Sequence, residues 1–267
     1  MIREHNKFKR RPKDIEEKIK DSLGPTQTLN NILDNQDIKE LTKIFQKAKK
    51  SNSNDSSKQL LDDLLNDEDL YESESLNSRP TDTIQCAAAL NWNQGVSEIL
   101  NHKLNKYVKD FKVVGGMFYV NNGSFKLHTD SGTDPNSVIY KIFTIPLRFN
   151  SKIPIYTPVF NQYWLGSAAR FERGSNLIQN NTHQNIVEYE KEPIFNLTHQ
   201  EFNTDDYKNL SHISLESLWG FSLESKNRWN VGDVFVIDRA KIHSSCDFSK
   251  NKTAPKFFMT IVTTKDE

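Results

Sequence analysis

Between residues 112 and 264 the chain is cut into short runs in which apolar residues recur at every second position, separated by Gly, Pro, Asn and Ser. A period of two belongs to strands, because successive side chains leave a pleated backbone on opposite faces. The runs fall at 112–120, 124–130, 138–149, 155–163, 219–224, 233–238, 241–245 and 256–264. Eight short strands are what a double-stranded β-helix, or jelly-roll barrel, requires, so the expected fold is mainly β with flanking helices. The Asn121-Asn122-Gly123 segment between the first two runs predicts a hairpin turn. Upstream, Trp92, Val96, Ile99, Leu100, Leu104, Tyr107 and Val108 recur at three- and four-residue intervals, which predicts a packing helix over about 91–109. The stretch from Gly166 to His212 has weak periodicity, and a loop that long is expected to form part of a substrate lid.

The first 80 residues differ in kind from 81–267, and the boundary between extension and domain is expected there. They open with a basic stretch around Lys9-Arg10-Arg11, continue through two short helical patterns, and end in a Ser/Asn-rich and then acidic linker. This composition favours a solvated, partly disordered extension over a binding arm, although Ile32, Leu33, Ile38, Leu41, Ile44 and Phe45 have the approximate spacing of a helix that could pack on the domain.

At 267 residues, with 35 basic and 35 acidic side chains, the chain carries no net charge, which argues against a chain-wide grip on nucleic acid. Cys86 and Cys246 are too few and too far apart for a zinc cluster or a disulfide framework and read as reduced thiols. No apolar run approaches a membrane span and the first residues lack a signal-peptide core, so a cytoplasmic protein without a membrane partner is expected.

Chemistry enters at Lys126-Leu127-His128-Thr129-Asp130. On a strand, positions i and i+2 share a face, so His128 and Asp130 would point together while Thr129 points away. His243, just after the apolar run 233–238, could add a third ligand from a distant strand. Two His and one carboxylate on one face of a metal are the ligand set of non-haem Fe(II) sites that keep positions open for cosubstrate and O2. The pair alone is weak, since His199-Gln200-Glu201 has the same form by chance; that one lies in a polar stretch without alternation and reads as a solvated loop.

The segment from Tyr119 through the Asn-Asn-Gly turn to His128-Thr129-Asp130 resembles the prolyl-4-hydroxylase-type segment of 2-oxoglutarate/Fe(II)-dependent oxygenases. Gly232-Asp233, the apolar run after it and His243 are similar to that family's Gly-Asp turn, strand and distal His, and 256–264 resembles its last core strand. The match covers roughly residues 112 to 264. It implies that His128, Asp130 and His243 hold Fe(II), that Lys256 binds the far carboxylate of 2-oxoglutarate, and that Tyr119 hydrogen-bonds the cosubstrate. Phe258 stands where many members carry Ser or Thr, and Thr260 is the hydroxyl on the same face two residues on. Lys141 is a rival anchor, because it shares an alternate face with Ile139, Phe143 and Ile145 and some relatives use a Lys from an early strand.

The resemblance implies a dioxygenase that uses Fe(II), 2-oxoglutarate and O2, with ascorbate as an accessory reductant, to hydroxylate a C–H bond and release succinate and CO2. Asp130 occupies a position where halogenating relatives carry a small residue, which favours hydroxylation. Two other classes stay open: a cupin-like metalloenzyme that does not use 2-oxoglutarate, and a non-catalytic jelly-roll binding module. The substrate, a small molecule or a peptide, is not written in these motifs. Arg170 and Arg173 are either solvated and salt-bridged or in contact with it, Trp219 and Trp229 are expected in the core, and Arg239 is a candidate to orient the ligands from behind.

Overall fold

A computed structural model describes residues 10–52, 88–89, 94–121, 124–149, 151, 153–173, 186–188, 194–247 and 256–266. In chain order the elements are α1 (Lys13–Ser22), β1 (Gln27–Leu29), α2 (Asn35–Asn52), β2 (Ala88–Ala89), α3 (Gln94–Leu104), β3 (Phe111–Asn121), β4 (Ile139–Arg148), β5 (Tyr156–Tyr163), β6 (Arg170–Glu172) and β7 (Ile186–Glu188). They continue with α4 (Thr204–Tyr207), α5 (Leu215–Leu218), β8 (Leu223–Arg228), β9 (Val234–Asp238), β10 (Lys241–His243) and β11 (Lys256–Lys265).

Two sheets face each other, as a jelly roll demands. The larger has the order β1-β9-β4-β11-β3-β2 and the smaller β10-β5-β8, with every pairing in both antiparallel. Ile142, Phe235, Ile237 and Phe258 from the larger sheet meet Val159 from the smaller, and Ile155 just ahead of β5, in one core cluster. The opposite face of the larger sheet, with Phe143, Ile145, Val236, Met259 and Ile261, packs on Leu33, Leu41, Val96, Leu100 and Leu104. Its strands are therefore apolar on both faces, and all five residues of β9 are buried.

Three expectations need correction. Residues 124–130 do not fold back on β3 as a hairpin, since β3 pairs with β11 and β2, while His128 bridges His243 on one side and Arg170 on the other. The chain crosses to the smaller sheet instead; the Asn122-Gly123 part of the turn lies outside the described residues. The strand expected at 219–224 begins later, at Leu223, and is largely polar because β8 is an edge of the smaller sheet with one face to solvent. The apolar residues that suggested it belong to a turn at Gly220, φ 83°, where a Cβ would lie 2.8 Å from the carbonyl oxygen of Thr198.

The third concerns the amino-terminal region. Residues 10–44 are built into the domain: β1 extends the larger sheet through β9, and Leu29, Leu33 and Leu41 enter its outer core. The Gly-Asp turn receives this segment. Gly232 has φ 93° and its carbonyl accepts from Leu33 N–H, while a Cβ there would sit 2.6 Å from the Leu33 carbonyl oxygen. Asp233 accepts from the Asn31 N–H and from the Asn230 amide. Composition misled here because α1 and α2 are amphipathic, with charged outer faces that dominate any average. Cys86, Trp92 and residues 53–80 of the Ser/Asn and acidic linker lie outside the described residues.

The stretch from Gly166 to His212 is likewise only partly a loop. Phe202 and Leu210 are buried in a cluster with Leu127, Phe160 and Trp164, and residues 174–185 and 189–193 lie outside the described residues. No helix among the described residues is long and apolar enough to cross a membrane.

Candidate metal centre

Backbone pairing brings the three expected ligands together. His128 N–H donates to the His243 carbonyl and His243 N–H to the His128 carbonyl, both at 3.0 Å, a reciprocal antiparallel pair that sets the two rings 4.3 Å apart between centroids. On the other side Phe171 N–H donates to Leu127 and Thr129 N–H to Ala169, so the short segment is wedged between β10 and β6. The two-residue period then aims Asp130 at the same point. Its Oδ2 lies 3.1 Å from His243 Nε2, and one ligand atom from each of the three residues falls within 4.8 Å of the others. His199, the chance match, is exposed and lies against Trp219.

The donor chemistry fits a divalent metal. His128 Nδ1 is 2.7 Å from the Lys126 carbonyl and His243 Nδ1 is 3.1 Å from the Lys241 carbonyl. A carbonyl can only accept, so each Nδ1 carries a proton and each ring turns its Nε2 toward the shared point, where His243 Nε2 meets the Asp130 carboxylate. Burial, with His243 nearby, drives the His128 pKa down to about 4, which keeps that ring neutral. Burial is the largest single influence on His243 and would lower it, but the hydrogen bond to Asp130 and that carboxylate's charge together raise it; at Asp130 burial is opposed by the same bond and by the charges of His243, His128 and Arg239, which together hold the carboxyl well below its usual range.

A cavity of about 550 Å3 opens over this point, lined from the larger sheet by Tyr119, Thr144, Lys256, Phe258 and Thr260, from the smaller by Thr157 and His243, and from β6, which pairs with β7, by Arg170. Lys256, only 2% exposed, lies with its Nζ 4.3 Å from the centroid of the Trp229 ring and 5.5 Å from that of Phe258. Burial pushes its pKa down to about 7, with Cys246 acting in the opposite sense. Tyr119 stacks on Phe258 at 4.9 Å, and burial together with Asp130 pushes its hydroxyl up to about 12 against a hydrogen bond with Thr260. Trp229 is buried as expected but also forms cavity wall, held by a 2.8 Å bond from its Nε1–H to the Thr157 hydroxyl.

Lys141 is not brought to the cavity. Its ammonium pairs with the Asp238 carboxylate and donates to the Ser22 carbonyl beside α1. The residue does share a face with Phe143 and Ile145, but that face packs outward under the helices, whereas Thr144 of the same strand lines the cavity. With apolar layers on both sides of β4, alternation marks two faces without saying which one is inside.

Arg239 and Arg11 hold the main chain behind the ligands. Arg239 donates from Nε to the Asp130 carbonyl at 2.9 Å and from Nη1 to Thr263 at 2.8 Å. Gly132, φ 71°, lets it pass: a Cβ there would be 2.9 Å from Arg239 Nη2. Arg11, just before α1, donates to the carbonyls of Ser131, Asp134 and Ser137 at 2.6 to 2.8 Å and fastens the loop that follows Asp130. The sequence gives no signal that separates Arg11 from Arg10 beside it. Arg11→Met is expected to destabilise the fold by about 2 kcal/mol or more and to weaken metal binding roughly tenfold or more. Urea unfolding and a Zn(II) titration of the folded variant measure the two effects separately.

No family model matches the chain, and no curated protein matches it. Among solved structures it is similar to EctD from S. alaskensis crystallised with 2-oxoglutarate and 5-hydroxyectoine, at 12% identity and a TM-score of 0.41 over 98% of this chain and 85% of that one. It is also similar to SnoN, a non-heme alpha ketoglutarate dependent epimerase from nogalamycin biosynthesis, at 11% identity and a TM-score of 0.39 over 95% and 84% of the two chains. Both likenesses are distant, and the chemistry of the centre is read from its own geometry.

Proposed function

We propose that this chain is an Fe(II)- and 2-oxoglutarate-dependent oxygenase that hydroxylates a C–H bond of a small molecule or peptide. The observation that carries the reading is the convergence of His128, Asp130 and His243 within 4.8 Å, both imidazoles presenting Nε2, at a cavity that also holds a buried lysine. Iron would be held by the two Nε2 atoms and the Asp130 carboxylate. The far carboxylate of 2-oxoglutarate would meet Lys256, whose buried ammonium would gain a charge-assisted bond on binding. Thr260 and Tyr119 line the same wall and offer hydroxyl groups beside it. When bound, iron and 2-oxoglutarate supply the activation of O2 that oxidises the C–H bond, with succinate and CO2 as coproducts. The protein's part is to hold the ligands, keep the His128 imidazole neutral, and shield the site with Trp229 and Phe258.

The test is succinate formation from 2-oxoglutarate with Fe(II) and ascorbate, alongside thermal melting with Mn(II) or Ni(II) in the presence and absence of 2-oxoglutarate. Uncoupled turnover and a melting temperature raised by metal, and raised again by 2-oxoglutarate, are expected. Stabilisation by metal alone, without succinate, would favour a cupin-like metalloenzyme. A native protein indifferent to both would leave a binding module.

A further inference from the structure

The rim of the cavity carries charge that the metal centre does not use. His128 faces Arg170 across an antiparallel bridge, and the same register sets Lys126 opposite Glu172. With a period of two, Lys126 lies on the face of the segment that carries His128 and Asp130, and Arg170 and Glu172 share one face of β6. The contacts agree: Lys126 Nζ is 3.0 Å and Arg170 Nη2 3.5 Å from the same Glu172 oxygen. Glu172 is buried, with 6% of its side chain exposed, whereas the side chains of Lys126 and Arg170 are 38% and 24% exposed. Both cations line the cavity and Glu172 does not.

Among the described residues that line the cavity, Asp130 is the sole carboxylate, set against Lys126, Arg170 and Lys256. If the centre is read as proposed above, a divalent metal, Asp130, a 2-oxoglutarate dianion and Lys256 together carry no charge. Lys126 and Arg170 add two positive charges to the cavity lining, with the shared Glu172 carboxylate buried behind them.

We propose that Lys126 and Arg170 form a substrate subsite for an anionic group, a carboxylate or a phosphate, with Glu172 holding the two cations in place until the ligand takes over their charge. The substrate class is thus an acid or a phosphorylated molecule whose anionic end docks on β6 and whose reacting C–H lies toward His128. This deepens the oxygenase reading and rests on it for the role of the subsite, but the subsite itself exists without metal and is tested without it.

Inorganic phosphate and acetate are titrated into the metal-free full chain, with binding read from amide shifts of the labelled protein and, for phosphate, from 31P line broadening. Saturable binding is expected, weakened roughly tenfold or more in Lys126→Gln and in Arg170→Gln. Glu172→Gln should move affinity the other way, because it removes the carboxylate that competes for both cations, and no loss of folding can mimic that gain. Addition of Zn(II) and 2-oxoglutarate should leave the phosphate signal in place. Absence of saturable binding in the wild type, binding that Lys126→Gln and Arg170→Gln leave unchanged, or displacement of phosphate by 2-oxoglutarate would each overturn the proposal; the last would hand the pair to the cosubstrate. Failure of succinate formation with phosphate binding intact would sink the oxygenase reading alone.

Discussion

Lys256→Met is expected to raise the melting temperature of the ligand-free protein at pH 6 while removing most of the stabilisation that 2-oxoglutarate adds. The two effects have one cause. Lys256 is 2% exposed between the Trp229 and Phe258 rings, and burial pushes its pKa from 10.5 down to about 7. A base whose pKa is lower in the folded protein binds fewer protons there than in the unfolded chain between about pH 7 and pH 10.5. Stability contributed by this group therefore rises with pH across that window, and the full penalty of burying the ammonium is present below pH 7. Methionine has a similar length and no charge, so it removes the penalty and keeps most of the packing.

A 2-oxoglutarate carboxylate is what turns the buried charge into an asset. A charge-assisted bond contributes roughly 1.5–3 kcal/mol net, so Lys256→Met should weaken 2-oxoglutarate binding about ten- to a hundredfold. Cys246 and His212 are among the groups that act on Lys256 or feel its charge. Binding should accordingly draw a proton onto Lys256 at pH 8, seen as a dependence of the calorimetric heat on buffer ionisation. Scanning calorimetry at pH 6 and pH 9.5, with and without Zn(II) and 2-oxoglutarate, checks both signs. If the variant melts lower at pH 6 and keeps its 2-oxoglutarate shift, Lys256 is a packing residue and the cosubstrate is anchored elsewhere.

The parts of this site that can be read from sequence are those fixed by the backbone's own period. His128 and Asp130 meet because i and i+2 share a face, and that relation survives although residues 124–130 form an isolated bridge rather than the expected hairpin strand. The same period places Lys256, Phe258 and Thr260 on the cavity wall. What periodicity cannot supply is the identity of each face. Lys141 sits on an outward face because β4 is covered on both sides, and alternation alone is symmetric between the two. Long-range partners are invisible for a different reason. Arg11 acts on carbonyls at 131, 134 and 137, and backbone carbonyls have no residue signature to match against. The Lys126–Glu172 and Arg170–Glu172 contacts follow once the His128–Arg170 bridge is known, but that bridge is a matter of topology.

His128→Ala, Asp130→Asn and His243→Ala should each abolish uncoupled succinate formation and weaken Zn(II) or Mn(II) binding by more than about a hundredfold, since loss of even an outer-shell partner typically costs ten- to a hundredfold. The three act as one unit. A double substitution of His128 and His243 should therefore be little worse than either single one, in contrast to the additive losses expected for distant residues. Folding should respond differently from metal binding. In Asp130→Asn the side chain keeps its size, Arg239 still reaches the unchanged backbone carbonyl at 130, and what is lost is the carboxylate bond to His243. The metal-free protein should then melt within a few degrees of wild type while the metal-dependent rise in melting temperature disappears. His128→Ala, by contrast, empties space against Phe125 and His243 and should cost stability in the metal-free protein as well. Melting curves of the three variants with and without Mn(II) separate the cases: an Asp130→Asn protein that retains the full metal shift would show that the ion is held without this carboxylate, and the three-ligand centre would be wrong.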